Sequence, residues 1–352
     1  GWITDNYSWP WLFYINVPIG IAAAAISWSL LRKRESHRVK VPVDAVGLML
    51  LVIGVGALQF LLDNGNNKDW FHSAEIAIAG VIAVVALTFL IPWELKDKHP
   101  IIDLHLFQRR NFLVGTLTIA VAYFAFTGVN IVFPLWLQTT LGYTATWAGL
   151  AMAPVGLVAL ILAPILGRNI ARVNLRLAPT MAFVILAICL FWFSRQTEQA
   201  SFGQLALPRF FMGFGLSLFF LPLNQIIMAG VSQAELASAA GLSNFVRTIS
   251  GSIATATCVF FWSKRSEFHY GRLVEHVSPD SVGWADYQAG LAQQGITGDN
   301  ALAYVSQMIQ QQASTMGAND LFLGIAMLFV ALIPVVWLAR PPFRTIGMGG
   351  AH

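Results

Sequence analysis

Long apolar stretches separated by short polar segments run the whole length of the chain. They cover 11–31, 45–62, 75–95, 112–137, 147–167, 178–193, 205–230, 242–262 and 319–338. Crossing the hydrocarbon core of a bilayer takes ~20 apolar residues per helix. The stretches are too long for strands, and they lack the alternation of a barrel. Only helices then satisfy the backbone inside lipid. The pattern predicts an all-α polytopic membrane protein with nine transmembrane helices, of which 178–193 is the shortest. Residues 1–10, Gly-Trp-Ile-Thr-Asp-Asn-Tyr-Ser-Trp-Pro, read as a short aromatic interfacial loop.

Composition agrees with the pattern. Charged residues make up 11% of the chain, against about 25% in soluble domains. The net charge of +4 raises nucleic acid as a partner, but the placement of the charge argues against it. With the first span running from outside to inside, the inner segments hold 14 Lys and Arg and the outer ones hold 5. Such a bias marks the cytoplasmic side of a membrane protein. It predicts a multi-pass protein in contact with lipid, a cytoplasmic C-terminus and no nucleic-acid partner. Cys189 and Cys258 both lie inside apolar spans, so neither a disulfide framework nor a zinc site is expected.

Most segments between spans are short, as for neighbouring packed helices. The exception is 263–318, read as a polar, Gln-rich outer (periplasmic) loop whose parts, such as 299–313, have helical character. It is either a solvated cap or a docking surface for an extracytoplasmic partner. The tail 341–352 opens on Pro-Pro and continues Gly-rich, which predicts disorder.

Polar side chains inside a span are costly and usually face a bundle interior or a cavity. In the fourth span Tyr123, Thr127, Asn130, Pro134 and Gln138 recur at helical spacing on one face. In the seventh, Arg209, Gly213, Ser217, Phe220 and Asn224 do the same. Both stripes carry side chains too large for simple close packing, which favours a cavity wall. The eighth span carries Asn244, Thr248, Gly251, Thr255 and Cys258, a small and polar stripe that favours helix packing. Arg209 and Arg247 lie near opposite ends of their helices, and either can snorkel toward the membrane surface. Pro134, Pro154, Pro164 and Pro222 fall inside spans, where proline removes a backbone hydrogen bond.

A Gly-Lys dipeptide is absent, and with it any nucleotide-binding P-loop. There is no His-Glu-x-x-His motif and no potassium-type filter sequence. With no catalytic constellation visible, an enzyme is not expected.

Composition and spacing stop at a polytopic transporter. The residues themselves go further. Trp9-Pro-Trp-Leu-Phe-Tyr-Ile-Asn-Val-Pro-Ile-Gly20, Asp44-Ala-Val-Gly-Leu48 and Pro100-Ile-Ile-Asp-Leu-His-Leu-Phe107 follow one another in order. Gly142-Tyr-Thr-Ala-Thr-Trp-Ala-Gly149, Leu242-Ser-Asn-Phe-Val-Arg-Thr248 and Ala339-Arg-Pro-Pro-Phe343 continue the series. Together they resemble the fourteen-span drug:proton antiporters of the major facilitator superfamily, multidrug exporters, essentially end to end.

The resemblance implies a partial major facilitator fold. The nine spans then correspond to the sixth through fourteenth of the family, with the first five expected to be missing. Residues 1–31 would close the N-terminal half. Residues 32–110 would hold two extra central helices and a cytoplasmic linker, and 111–340 the C-terminal six-helix half. The first and fourth helices of that half would line the cavity. This places Tyr123, Phe124, Thr127, Asn130, Phe133, Arg209, Phe220 and Asn224 on a substrate wall. Gly167, Arg168, Arg172 and Arg176 fit a worn cytoplasmic gating motif, in which Ala171 stands where an Asp is usual. Asn244, Arg247 and Gly251 would sit at the helix interface between the halves.

By the same resemblance, the function is proton-coupled export of small hydrophobic drugs across the bacterial inner membrane. The partners would be a periplasmic adaptor protein and an outer-membrane channel. No cofactor beyond the proton gradient is implied. No carboxylate lies mid-span; the resemblance implies a proton acceptor in the missing first span. Alternatives are export of a dedicated anionic metabolite (a fatty acid or siderophore), with Arg209 and Arg247 clamping the anion, and a non-transporting membrane scaffold.

Overall fold

The structure, a computed structural model, describes residues 1–32, 44–68, 70–97, 100–275, 289–293 and 297–343. Every regular element among them is helical. Two short helices, α1 (Trp2–Asn6) and α2 (Trp11–Tyr14), precede α3 (Asn16–Leu31). Next come α4 (Ala45–Gly65), α5 (Ala74–Lys96), α6 (Arg110–Thr139), α7 (Ala145–Asn169) and α8 (Leu177–Phe193). The last three are α9 (Phe202–Met228), α10 (Leu236–Glu275) and α11 (Asp299–Trp337).

Every predicted span is helical. The first is divided at Ile15 into α2 and α3. The shortest, α8, has 17 residues. The opening residues are not simply a loop, because α1 packs on the start of α7. Asp5 Oδ2 accepts from the Thr146 backbone N–H at 2.8 Å and from its hydroxyl at 2.5 Å. A carboxylate is favourable there, since the first N–H groups of a helix lack partners and carry partial positive charge. These bonds hold the Asp5 carboxyl below the usual range.

The stretch 263–318 needs correction as a loop. It continues α10 to Glu275, and α11 begins at Asp299. The two helices, of 40 and 39 residues, are about 60 Å long at 1.5 Å per residue, against a hydrocarbon core of about 30 Å. They stay paired where they project from the bundle. Tyr270 Oη lies 3.2 Å from Ser306 Oγ, and Trp262 Nε1 donates to Ser314 O at 2.9 Å. A small apolar cluster of Leu291, Ala301 and Val305 sits in the projection. Residues 276–288 and 294–296 of the stretch lie outside the described residues, as do 33–43 of the central linker and 344–352 of the tail.

Helices α6 to α11 form one bundle with α6 at its centre, touching α9, α10 and α11. Ile119, Ala122, Ala125, Val129, Val132, Phe133 and Trp136 of α6 are all buried. In lipid, apolar burial alone does not drive helices together, so close packing and interhelical hydrogen bonds hold the bundle. Gly213 lets α9 approach Val155 and Val158 of α7, and Gly215 lets it approach Ala182 and Leu186 of α8. Trp136 Nε1 donates to Thr315 Oγ1 at 3.2 Å, and Asn319 Nδ2 donates to Gln196 O at 2.8 Å. Prolines 134, 154, 164 and 222 sit inside helices that continue through them.

Helices α4 and α5 pair with each other, and α4 leans on α10. Asn66 Nδ2 donates to Ala256 O at 3.2 Å, and Trp70 meets Phe260 edge-on. Helix α10 thus packs between α6 and α4. Helix α3 is apolar and exposed along its described length, so it needs lipid or protein around it.

Candidate substrate site

Three helices bring one large side chain each to a common point. Tyr123 of α6 and Phe220 of α9 meet edge to face, with ring centroids 6.3 Å apart. The Arg247 guanidinium of α10 lies 5.5 Å from the Tyr123 centroid and 5.3 Å from that of Phe220. All three are half-buried. Arg247 Nη2 donates to Asn244 Oδ1, one turn back on α10. One turn onward, a Cβ on Gly251 would fall 2.9 Å from Tyr123 Cε1 and 3.6 Å from Thr127 Oγ1. The missing side chain is what lets the tyrosine lie against α10.

Thr127 and Asn224 border this cluster, both half-buried. Asn224 Nδ2 donates to Phe220 O at 2.9 Å. The arrangement offers two aromatic faces, a cation and polar groups on a partly open wall. Such a surface suits flat apolar molecules, with Arg247 able to meet a negative charge.

Three residues expected on the wall lie elsewhere. Phe133 is fully buried among Trp136, Phe193 and Phe322. Arg209 is also fully buried and does not snorkel. Its guanidinium sits 4.0 Å from the Phe133 centroid and 5.8 Å from that of Phe193. Nη1 donates to Asn130 Oδ1 at 3.2 Å, while Nε and Nη2 have no partner. A desolvated cation over an aromatic face gains ~2 kcal/mol or more, less than the several kcal/mol that burying an ion costs. Phe124 turns away from Tyr123 to a shallow groove of about 220 Å³ lined by Thr257, Cys258, Phe261, Leu321 and Ile325.

The eighth-span residues also regroup. Arg247 and Gly251 join the aromatic cluster, and Asn244 holds Arg247. Their described neighbours are helices of the same bundle, not a second half.

The gating set divides likewise. Arg168 and Arg172 are exposed and make no hydrogen bond or ion pair among the described residues. A Cβ on Gly167 would meet Leu221 Cδ2 at 3.6 Å, so the position is not tightly packed. Only Arg176 engages another element: it donates to Ala339 O and faces the rings of Trp337 and Phe343. The stronger tie at this end escaped the sequence reading. Arg109 donates to Gly230 O at 2.8 Å and to Glu235 Oε1 at 2.7 Å. Glu235 Oε2 accepts from the Ser232 N–H at 3.1 Å and from its hydroxyl at 2.5 Å. These Ser232 contacts, followed by Arg109, hold the Glu235 carboxyl below its ordinary range. The Ser-x-x-Glu spacing before an apolar run was the available signal.

Comparison with known proteins decides the family. The family model described as Major Facilitator Superfamily matches residues 1–255. The chain belongs to the major facilitator superfamily. Among its relatives, the multidrug export protein EmrB of Escherichia coli is 44% identical over 354 residues, 100% of this chain and 69% of that protein. The fatty acid resistance protein FarB of Neisseria gonorrhoeae is 41% identical over 349 residues, 99% of this chain and 69% of that protein. The EmrB protein of Haemophilus influenzae is 43% identical over 346 residues, 98% and 68% of the two chains. This major facilitator chain is therefore a multi-pass membrane protein of the EmrB and FarB exporter group, and a transporter rather than an enzyme.

Proposed function

We propose that the chain serves proton-coupled export of hydrophobic drugs across the bacterial inner membrane. The Tyr123–Phe220–Arg247 cluster carries this reading. It is half-buried, contributed by three helices and mixed in chemistry, as a site for varied aromatic compounds requires. Exchange between inward-open and outward-open states proceeds by rocking of helix bundles, driven by the proton gradient. The basic end of the bundle, with Arg109 and Arg176, faces the cytoplasm. Efflux of an aromatic dye from cells expressing the complete transporter tests the site. Tyr123→Ala and Phe220→Ala should each reduce efflux about tenfold, the loss of one aromatic contact of ~1.4 kcal/mol. Unchanged efflux in both variants would refute it.

A second reading is supported by Arg247. Its guanidinium sits on the wall with no carboxylate partner among the described residues. Such a group suits a fatty acid or another amphipathic anion, in line with the name of the gonococcal relative. Arg247→Gln should then abolish resistance to fatty acids and leave resistance to cationic dyes. Loss of both, or of neither, would favour the drug reading alone.

The paired projection of α10 and α11 supports assembly with a periplasmic adaptor, and through it an outer-membrane channel. The exposed residues Tyr304 and Gln307 are positioned to touch such a partner. Photocrosslinkers at these positions should capture the adaptor, while one at Leu160 should not.

A further inference from the structure

Two carboxylates converge over Gly47 where α4 begins and α5 ends. A Cβ on Gly47 would collide with Asp44 Oδ2 and come within 2.7 Å of Glu94 Oε1. The two oxygens therefore face the same small space. Glu94 is 1% exposed and Asp44 8%.

The hydrogen bonds are unequally shared. Asp44 caps α4 through Oδ1, which accepts from Val46 N at 3.1 Å and Gly47 N at 2.9 Å. Its Oδ2 accepts from Trp93 Nε1 at 2.9 Å. Three donors thus converge on Asp44. Glu94 Oε2 accepts from Ile102 N at 3.1 Å, while Oε1 is buried with no partner. An orphaned buried carboxylate oxygen beside a second carboxylate is costly, and two like charges so placed do not both ionise readily.

Among the described residues no Lys, Arg or His pairs with Asp44 or Glu94. On α5 the neighbouring charges are Lys96 and Asp97, which line an open groove with Phe89, Pro92 and Trp93. On the following segment Asp103 engages His105. Helix α4 presents Asp44 itself.

We propose that Glu94 and Asp44 form a proton-binding pair, with one proton carried on Glu94 Oε1 and donated to Asp44 Oδ2. The proton comes from water and returns to it, so the pair alternates between one negative charge and two. Loading joins α4 to α5. Unloading drives the carboxylates apart and disturbs the Glu94 grip on Ile102. That grip bears on the substrate site, because Leu90, Ile102 and Leu106 belong to the same core as α6. No acid lies mid-span in this chain. The structure shows a buried one near the end of α5.

A role in coupling rests on the export reading above, but the proton itself does not. Infrared spectroscopy of the purified protein in lipid, titrated with base, detects it without transport. A protonated-carboxyl C=O band is expected at neutral pH and should disappear in Glu94→Gln. Glu94→Gln keeps the shape of the protonated acid, so its fold should survive. In Asp44→Asn, which lacks the like charge, the band should vanish at a pH at least one unit lower than in the parent. A parent without the band, or a band that persists in Glu94→Gln, would overturn the proposal. So would loss of the band on adding Na⁺ or K⁺ at fixed pH, which would mark a metal-cation site. Failure of an export assay alone would strike the export reading and leave the infrared result standing.

Discussion

The guanidinium of Arg209 lies over the ring of Phe133, 4.0 Å from its centroid, with both side chains fully buried. Its single hydrogen bond goes to Asn130. The core of the bundle therefore holds a cation without a matching anion among the described residues.

This arrangement predicts opposite effects for the two partners. Replacing a poorly compensated buried ion by an apolar side chain of similar volume is often neutral or stabilising, by ~1–4 kcal/mol. Arg209→Met should therefore hold or raise the Tm in detergent. Asn130→Ala leaves the guanidinium with no hydrogen bond and should cost ~1–3 kcal/mol. Export separates stability from function. If the charge serves transport, Arg209→Met should be a stable protein with impaired efflux.

The Arg109–Glu235 link predicts a pH effect of definite sign. Glu235 is lowered in the folded state, first by Ser232 and then by Arg109. A lowered carboxylate contributes stability fully above its unfolded value, about 4.3. That contribution is lost as the pH falls through the still lower folded value. At pH 7 Glu235→Gln should reduce stability by at most ~1 kcal/mol, the scale of a partly exposed ion pair. The difference from the parent should close below about pH 4. Ser232→Ala should narrow that difference more than Arg109→Lys does. Melting curves across the pH range check all three.

The spans and their faces were legible because apolar length and helical spacing are local properties. Membership of the aromatic cluster was only half legible. Phe124 follows Tyr123 directly, so it points ~100° away around the helix, and spacing alone excludes it from the wall. Phe133 is ten residues from Tyr123, which leaves it ~80° off that face. Arg247 stands between Asn244 and Gly251 at steps of three and four, so it shares their stripe. What that stripe faces depends on the rotation of α10 against α6, which no single helix encodes. The extension of α10 and α11 beyond the membrane was hidden because a polar, Gln-rich helix gives no apolar signal. Asp44 and Glu94 were hidden because they are 50 residues apart and meet only when α4 packs on α5.

At the projecting end, Asp320 of α11 is shared by two residues of α10. Its Oδ2 lies 2.7 Å from Arg265 Nε and 2.7 Å from His269 Nε2. Asp320→Asn should therefore destabilise more than Arg265→Gln or His269→Gln alone. In the Asp320→Asn background, the further loss from Arg265→Gln should nearly vanish. A double-mutant cycle on Tm would show a coupling above ~0.5 kcal/mol. Additive losses would mean that the three groups act independently.

Gly128 and Gly251 both face large neighbours across helix contacts, and they should respond differently to a methyl group. A Cβ on Gly251 would press on the half-buried Tyr123. That ring is only half-buried, so Gly251→Ala should leave Tm nearly unchanged and alter the drug profile. A Cβ on Gly128 would meet the buried Sγ of Cys258, with Ile325 Cδ1 close behind at 3.5 Å. Both neighbours are buried. Gly128→Ala should therefore cost ~1–3 kcal/mol, the usual scale of overpacking in a filled interior. Removing the obstructing sulfur supplies the internal control. Adding Cys258→Ala to Gly128→Ala should recover most of the loss, although Cys258→Ala alone leaves a small cavity and destabilises. Recovery would locate the strain at this one α6–α10 contact. A double variant no more stable than Gly128→Ala would place it elsewhere.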